Sequence, residues 1–227
     1  MKGFQILDEY DTLTAALNGM SIARAGDGEG AIMQGRSAKS QEYDKRLAAI
    51  MRECFTKPCD EVLACVPTFR KDGPKYQSFW HKWEPRFRSL MNPKQLYGSA
   101  FCTRPDSEPR IDTPEYWELV RSLWVDKDVM LIRGSGKSLT SERLAGAKSV
   151  QEVLCPVRHA FSEYDNLCRL VRQEHAGRTV ILCCGAMATA MAYELGREHI
   201  HCVDAGHIGM FAGRREGQFN SEGNNAS

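Results

Sequence analysis

Short apolar runs recur along the chain, separated by stretches whose apolar residues return every third or fourth position. Seven of these runs read as strands: Ser21–Arg24, Val62–Val66, Leu96–Phe101, Asp128–Ile132, Ser149–Leu154, Thr179–Cys184 and Ile200–Val203. The intervening stretches read as helices. Residues 5–19 carry Ile6, Leu7, Leu13 and Leu17 on one side and stop at Gly19. Gln41–Phe55 carries Leu47, Ile50, Met51 and Phe55 and is stopped by Pro58. Thr113–Trp124 opens with a capping Thr113 and with Pro114 at the first helical position. Phe161–Gln173 sets Tyr164, Leu167, Leu170 and Val171 on one face, and Met187–Leu195 is a helix of small residues. Tyr76–Met91 is aromatic-rich, and Pro85 inside it predicts a kink or two shorter helices. Strands alternating with helices predict an α/β fold, a mostly parallel sheet covered by helices on both faces.

Composition changes this picture little. The 227 residues are 42% hydrophobic and 26% charged, as in an ordinary globular protein, with a formal net charge of +1. Nothing in that balance draws the chain to nucleic acid or to an acidic membrane. No run of about 18 apolar residues predicts a membrane span, and the first residues meet charge too early for a signal peptide. Nine cysteines, an odd number with no CxxC pair, sit mostly in apolar stretches such as Val180–Cys184. They read as buried reduced thiols in a reducing, cytoplasmic compartment. The expected organisation is a single domain over residues 1–217 with a disordered polar tail over 218–227.

The polar residues of interest follow the carboxyl ends of strands, the edge at which open α/β sheets bind ligands. After the first predicted strand comes Gly26-Asp27-Gly28-Glu29-Gly30. Two carboxylates one residue apart on a glycine-rich loop can converge on a hard cation, Mg²⁺ or Mn²⁺, and glycine lets a diphosphate approach the backbone. The same letters also spell an ordinary Asp-Gly turn. Gly134–Ser138 resembles the end of a phosphate loop, but the position that should hold its first glycine is Leu131, which excludes a P-loop ATPase. It reads either as a basic turn near phosphate or as a plain surface turn. Cys183–Ala190 is strand, glycine turn and small-residue helix, whose N-terminus at Gly185 suits an anion. Thr189 either donates to phosphate or helps start that helix. His207, between Gly206 and Gly209, is a structural histidine, a metal ligand or a diphosphate contact, with Asp204 placed to orient it. Phe79, Trp80 and Trp83 read as core or as a platform for a sugar or base.

Five segments in this order, ARAGDGEG, YGSAFCTRPD, HAFSEYD, GAMATAMAYEL and DAGHIGMF, resemble the GT-D-type glycosyltransferases, a family first catalogued as a domain of unknown function. The resemblance runs from about Ile22 to Phe211. It implies a Rossmann-like domain that uses a nucleotide-diphosphate sugar, typically UDP-glucose, with Mn²⁺ or Mg²⁺. The family's DxE metal motif falls on Asp27 and Glu29, and its Gly-His element on Gly206-His207. His159-Ala160-Phe161 and Ala186-Met187 depart from the family's pattern. Gly209, Phe211 and Gly213 stand where some members carry acidic residues, one of them a candidate base.

Together these readings give a metal-dependent transfer of a hexose, glucose, from a UDP-sugar to a hydroxyl of a glycan, glycoprotein or glycolipid acceptor. Asp27, Glu29 and His207 are expected to be catalytic and to hold the metal. Arg24, Gly26, Gly28, Arg104, Asp106, Lys137, Tyr164, Asp165, Gly185, Thr189 and Asp204 are expected around the substrates. Asp106, Asp165 and Asp204 are the candidate proton acceptors. Two rivals share the site: a metal-dependent phosphoesterase or nucleotide-sugar hydrolase, and a binding module that never turns its ligand over. The residues leave the oligomeric state open, a homodimer included.

Overall fold

A computed structural model describes residues 3–57, 59–71, 78–134 and 139–211. Pro58, Lys137, the core of the Gly134–Ser138 turn, Gly213 and the expected tail lie outside the described residues. Eight parallel strands form one sheet in the order β1-β4-β3-β2-β8-β7-β5-β6. They are β1 (Gln5–Ile6), β2 (Ser21–Arg24), β3 (Val62–Val66), β4 (Leu96–Ser99), β5 (Asp128–Arg133), β6 (Ser149–Leu154), β7 (Thr179–Cys183) and β8 (Cys202–Asp204).

The strands alternate their side chains between two cores, as the pleat demands. Val62, Ala64 and Val66 of β3 join one apolar cluster, while Leu63 and Cys65 join the other. β5 and β7 divide in the same way, with Met130, Ile132, Val180 and Leu182 on one side and Val129, Leu131, Ile181 and Cys183 on the other. The helices α2 (Asp27–Met33), α3 (Lys45–Thr56), α4 (Glu84–Arg88), α6 (Tyr164–Glu174) and α7 (Ala186–Gly196) bury their apolar residues in the first cluster. The helices α1 (Glu9–Leu17) and α5 (Pro114–Arg121) cover the opposite face. A sheet buried on both faces explains why its strands read as continuous apolar runs. It also explains the cysteines. All nine are free, eight of them buried, and burial pushes the Cys102 and Cys183 thiols to about 12.

Several of the pattern-based boundaries shift. Gln5–Ile6 is a short edge strand beside β4, and the helix after it begins only at Glu9, where Asp8 caps it by accepting from Asp11 N at 2.8 Å. The expected Leu96–Phe101 strand ends at Ser99. The described part of the aromatic stretch does form two short helical pieces, as Pro85 suggests: a 3₁₀ turn, Trp80–Lys82, and the short α4, with Pro85 in its first turn. Asp27 and Glu29 do not lie on a loop: they occupy the first turn of α2. No helix among the described residues is long and apolar enough to cross a membrane.

Candidate active site

The β2–β3–β4 run and the β8–β7–β5–β6 run meet at β2 and β8, where Ile22 registers with Val203. Beyond the carboxyl ends of these two strands lies a cleft of about 530 Å³. Its floor is an ion pair. Arg24, the last residue of β2, donates from Nη2 to Asp204 Oδ1 at 3.3 Å, from Nε to the Asp204 carbonyl at 2.7 Å and from Nη1 to the Ala100 carbonyl at 2.9 Å. The Arg24 amide donates to Asp204 Oδ2 at 3.3 Å. Both side chains are about nine-tenths or more buried. Burial acts to lower the Arg24 pKa, but the charge and hydrogen bond of Asp204, together with the neighbouring Cys102 and Cys65, hold the guanidinium above its ordinary value. Gly206 follows with φ +52°, and a Cβ there would collide with Arg24 Nη2. Only glycine fits, for both steric and conformational reasons.

The acidic turn stands over this floor. Gly26 caps α2, and Glu29 three residues on folds back so that its Oε2 accepts from the Gly26 amide at 2.7 Å. This is the return half of a capping box, completed without a cap side chain. Burial raises the Glu29 pKa above the ordinary carboxylate value, against the lowering effect of its backbone hydrogen bonds. Asp27, at the first helical position, is exposed. Both line the cleft.

The walls differ in character. On the β4 side stand Trp80, Phe101 and Arg104. Arg104 donates to both oxygens of Asp106, at 2.8 Å and 3.0 Å. On the β7 side stand Lys39, Ser40, Val157, Arg158 and Gly185, the last at φ +63° before α7. Two loops brace each other there. The His159 amide donates to the Ser40 carbonyl at 2.8 Å, His159 Nδ1 accepts from the Glu42 amide at 3.2 Å, and Phe161 N donates to Gln41 Oε1 at 3.2 Å. His207 closes the rim past β8. Partial burial, then the charges of Arg104 and Arg24, lower its pKa, so its neutral form persists further to the acid side.

The cleft gathers Arg24, Gly26, Asp27, Gly28, Glu29, Arg104, Gly185, Asp204 and His207 from the residues singled out in sequence. Others lie elsewhere. Asp106 steadies Arg104 from outside the lining. Thr189 spends its hydroxyl on the Arg24 carbonyl at 2.6 Å, tying α7 to β2, so it does not face a phosphate. Tyr164 is buried and donates to Glu194 Oε2 at 2.7 Å. Asp165 is exposed on α6 and takes a two-pronged bond from Arg46 at 2.8 Å and 2.6 Å. Lys137 is outside the described residues. Lys39, Ser40, Phe101 and Arg158 line the cleft without having been singled out. They come from loops distant in sequence, and no local pattern marks them.

No three His, Cys, Asp or Glu side chains among the described residues gather into a ready metal cluster. The cleft lining holds two hard carboxylates, Asp27 and Glu29, and the imidazole of His207. That donor set fits Mg²⁺ or Mn²⁺, ions that habitually complete their shell with water and phosphate oxygens.

Fold and site define an open parallel α/β protein with a cleft at the carboxyl edge, two carboxylates on its acidic turn and cations around its rim. The chain belongs to the glycosyltransferase GT-D fold family, whose model matches residues 22–211. It is 30% identical over 204 residues to a probable glycosyl transferase Gly of Streptococcus gordonii, covering 84% of this chain and 30% of that protein. It is 27% identical to glycosyltransferase GlyD of Streptococcus pneumoniae, covering 83% of this chain and 25% of that one. The chain thus spans under a third of either relative's length. Among solved structures it resembles a glycosyltransferase from Streptococcus sanguinis with a TM-score of 0.82 and 26% identity, covering 95% of this chain and 86% of that one. A second structure, described as a domain of unknown function with a distinct glycosyltransferase fold, matches with a TM-score of 0.82 and 25% identity over 94% of this chain and 82% of its own.

Proposed function

We propose that this chain transfers a hexose, glucose, from a UDP-sugar to an acceptor hydroxyl on a glycan, glycoprotein or glycolipid, with Mn²⁺ or Mg²⁺ bound by Asp27 and Glu29. The observation that carries this reading is the placement of both carboxylates in one helical turn facing Arg24, Arg104 and His207 across a single cleft. A cation between acidic turn and rim supplies Lewis-acid stabilisation of the charge that develops on the departing diphosphate. Arg104, held in a fixed orientation by Asp106, adds a fork of donors for phosphate oxygens. Neutral His207 donates to the same group. The N-terminus of α7 at Gly185 adds its first-turn amides on the opposite wall. Arg24 serves the site indirectly: with Asp204 it fixes the spacing of β2 and β8 and so the position of the turn between them.

In this reading the acceptor's proton does not go to a spare carboxylate among Asp106, Asp165 and Asp204. Asp165 lies outside the cleft on Arg46, Asp106 is taken up by Arg104, and both oxygens of Asp204 accept from Arg24. None is a free base. The test is UDP release from a panel of nucleotide sugars, with and without Mn²⁺ and with and without acceptor glycans. Metal-dependent release, stimulated by acceptor and strongest with UDP-glucose, supports the reading. Release of equal rate without any acceptor would replace it with a hydrolase, and binding without release with an idle module.

A further inference from the structure

Trp80 has a polar atom that folding does not use. Its indole lines the cleft, is only 8% exposed, and packs edge-on or tilted against Phe69, Phe79 and Phe101 at ring-centroid distances of 6.5, 4.9 and 5.3 Å. The carbon framework is therefore well accommodated, yet the buried Nε1 meets no acceptor among the described residues. The same chain satisfies its other buried indoles. Trp117 donates to Asp112 Oδ1 at 2.7 Å and Trp124 to the Ala145 carbonyl at 3.3 Å. A buried N–H left unpaired costs as much as a lost hydrogen bond, and native structures keep few of them. A phenylalanine would fill an apolar wall without that cost. An indole that borders a ligand cleft and lacks a partner is a donor held ready for the ligand.

Resting on the nucleotide-sugar reading above, we propose that Trp80 Nε1–H donates a hydrogen bond to an uncharged acceptor oxygen of the bound donor, and is a substrate-binding residue. The wall around it shows what class of oxygen this is. The groups suited to phosphate stand elsewhere in the cleft, at Arg104 and His207, whereas Trp80 and Phe101 line it with aromatic side chains. That chemistry suits a ring with an oxygen on its edge. A nucleotide sugar carries two such groups, the carbonyl of uracil and a hydroxyl of the hexose.

The test is Trp80→Phe, which keeps the ring and deletes the donor. Calorimetry in Mn²⁺ measures UDP and UDP-glucose on wild type and variant, with the ligand-free thermal midpoint as a check on folding. An affinity loss of about tenfold for both ligands assigns the bond to the base. A similar loss for UDP-glucose with UDP unchanged assigns it to the sugar. Unchanged affinity for both overturns the proposal, provided that wild type binds. If wild type binds neither, the nucleotide-sugar reading itself falls. Should the variant fail to fold, indole ¹⁵N–¹H spectra of the wild-type protein decide. Saturating UDP-glucose with Mn²⁺ moves the assigned Trp80 N–H downfield and leaves Trp117 and Trp124 in place. A Trp80 resonance that stays put contradicts the proposal.

Discussion

Arg24 and Asp204 lie under the cleft, and Asp27 and Glu29 lie on its edge. The first pair is buried and bonds to protein: to a carboxylate, two carbonyls and an amide. The second pair belongs to one helical turn, with Asp27 exposed and Glu29 carrying a raised pKa despite its backbone hydrogen bonds. Both are charged groups within one cleft, yet they are put to opposite uses. Charges satisfied by protein hold the sheet in register. Charges with capacity left over are the ones available to a ligand. Residue type alone would have assigned Asp204 and Glu29 the same role; burial and partners together separate them.

The contrast can be broken most severely at the floor. Replacing Asp204 by Ala leaves a buried guanidinium uncompensated, and the expected loss of folding stability is about 3–5 kcal/mol. Denaturant unfolding reads it directly. A loss below about 1 kcal/mol would mean that the pair behaves like a surface salt bridge. Gly206→Ala acts on the same pair from the other side, by driving a methyl into Arg24, and should destabilise comparably.

At the edge the expected result is reversed. Asp27→Ala abolishes metal-dependent UDP release while stability stays within about 0.5 kcal/mol of wild type, as for an exposed site. Glu29→Gln sharpens the point because its sign is unusual. Burial raises the Glu29 pKa, so the folded protein holds a proton there that the unfolded chain has already lost. The contribution of this group to stability is fully present below the ordinary carboxylate value and is lost as pH rises through the raised one. Glu29→Gln removes that slope: at neutral pH the variant unfolds at the same denaturant concentration or a higher one, yet it loses metal-dependent turnover. A variant clearly less stable at neutral pH would show that the carboxylate is structural. The smallest effect is expected for Asp165→Ala. The Arg46–Asp165 pair is exposed on α6, away from the cleft, so turnover should be unchanged. A large loss there would enlarge the site beyond its present walls.

How much of this was legible from the residues depends on range. The Val62–Val66 strand could be read to the residue, because a doubly covered sheet writes itself as apolar runs. Thr113-Pro114 announced the start of α5, where Thr113 accepts from the Tyr116 amide at 3.3 Å. The two-residue β1 was invisible, since two residues carry no period. Asp27 and Glu29 were identified as the acidic turn but placed on a loop, because three interspersed glycines disguise a helix start that only the Glu29–Gly26 bond reveals. Thr189 read equally as a phosphate donor or as part of a helix start, and its hydroxyl lies on the Arg24 carbonyl, a contact across 165 positions. Lys39, Arg158 and Phe101 reach the cleft by tertiary packing alone.

The central claim is that a cation held by Asp27 and Glu29 joins this protein to a diphosphate. Calorimetric titration of UDP, in Mn²⁺ and then in chelator, addresses it with one ligand and no turnover. The account predicts tighter binding in Mn²⁺ for wild type and a single, metal-independent affinity for the Asp27→Ala, Glu29→Ala double variant. Equal UDP affinity of the wild-type protein in Mn²⁺ and in chelator would contradict it.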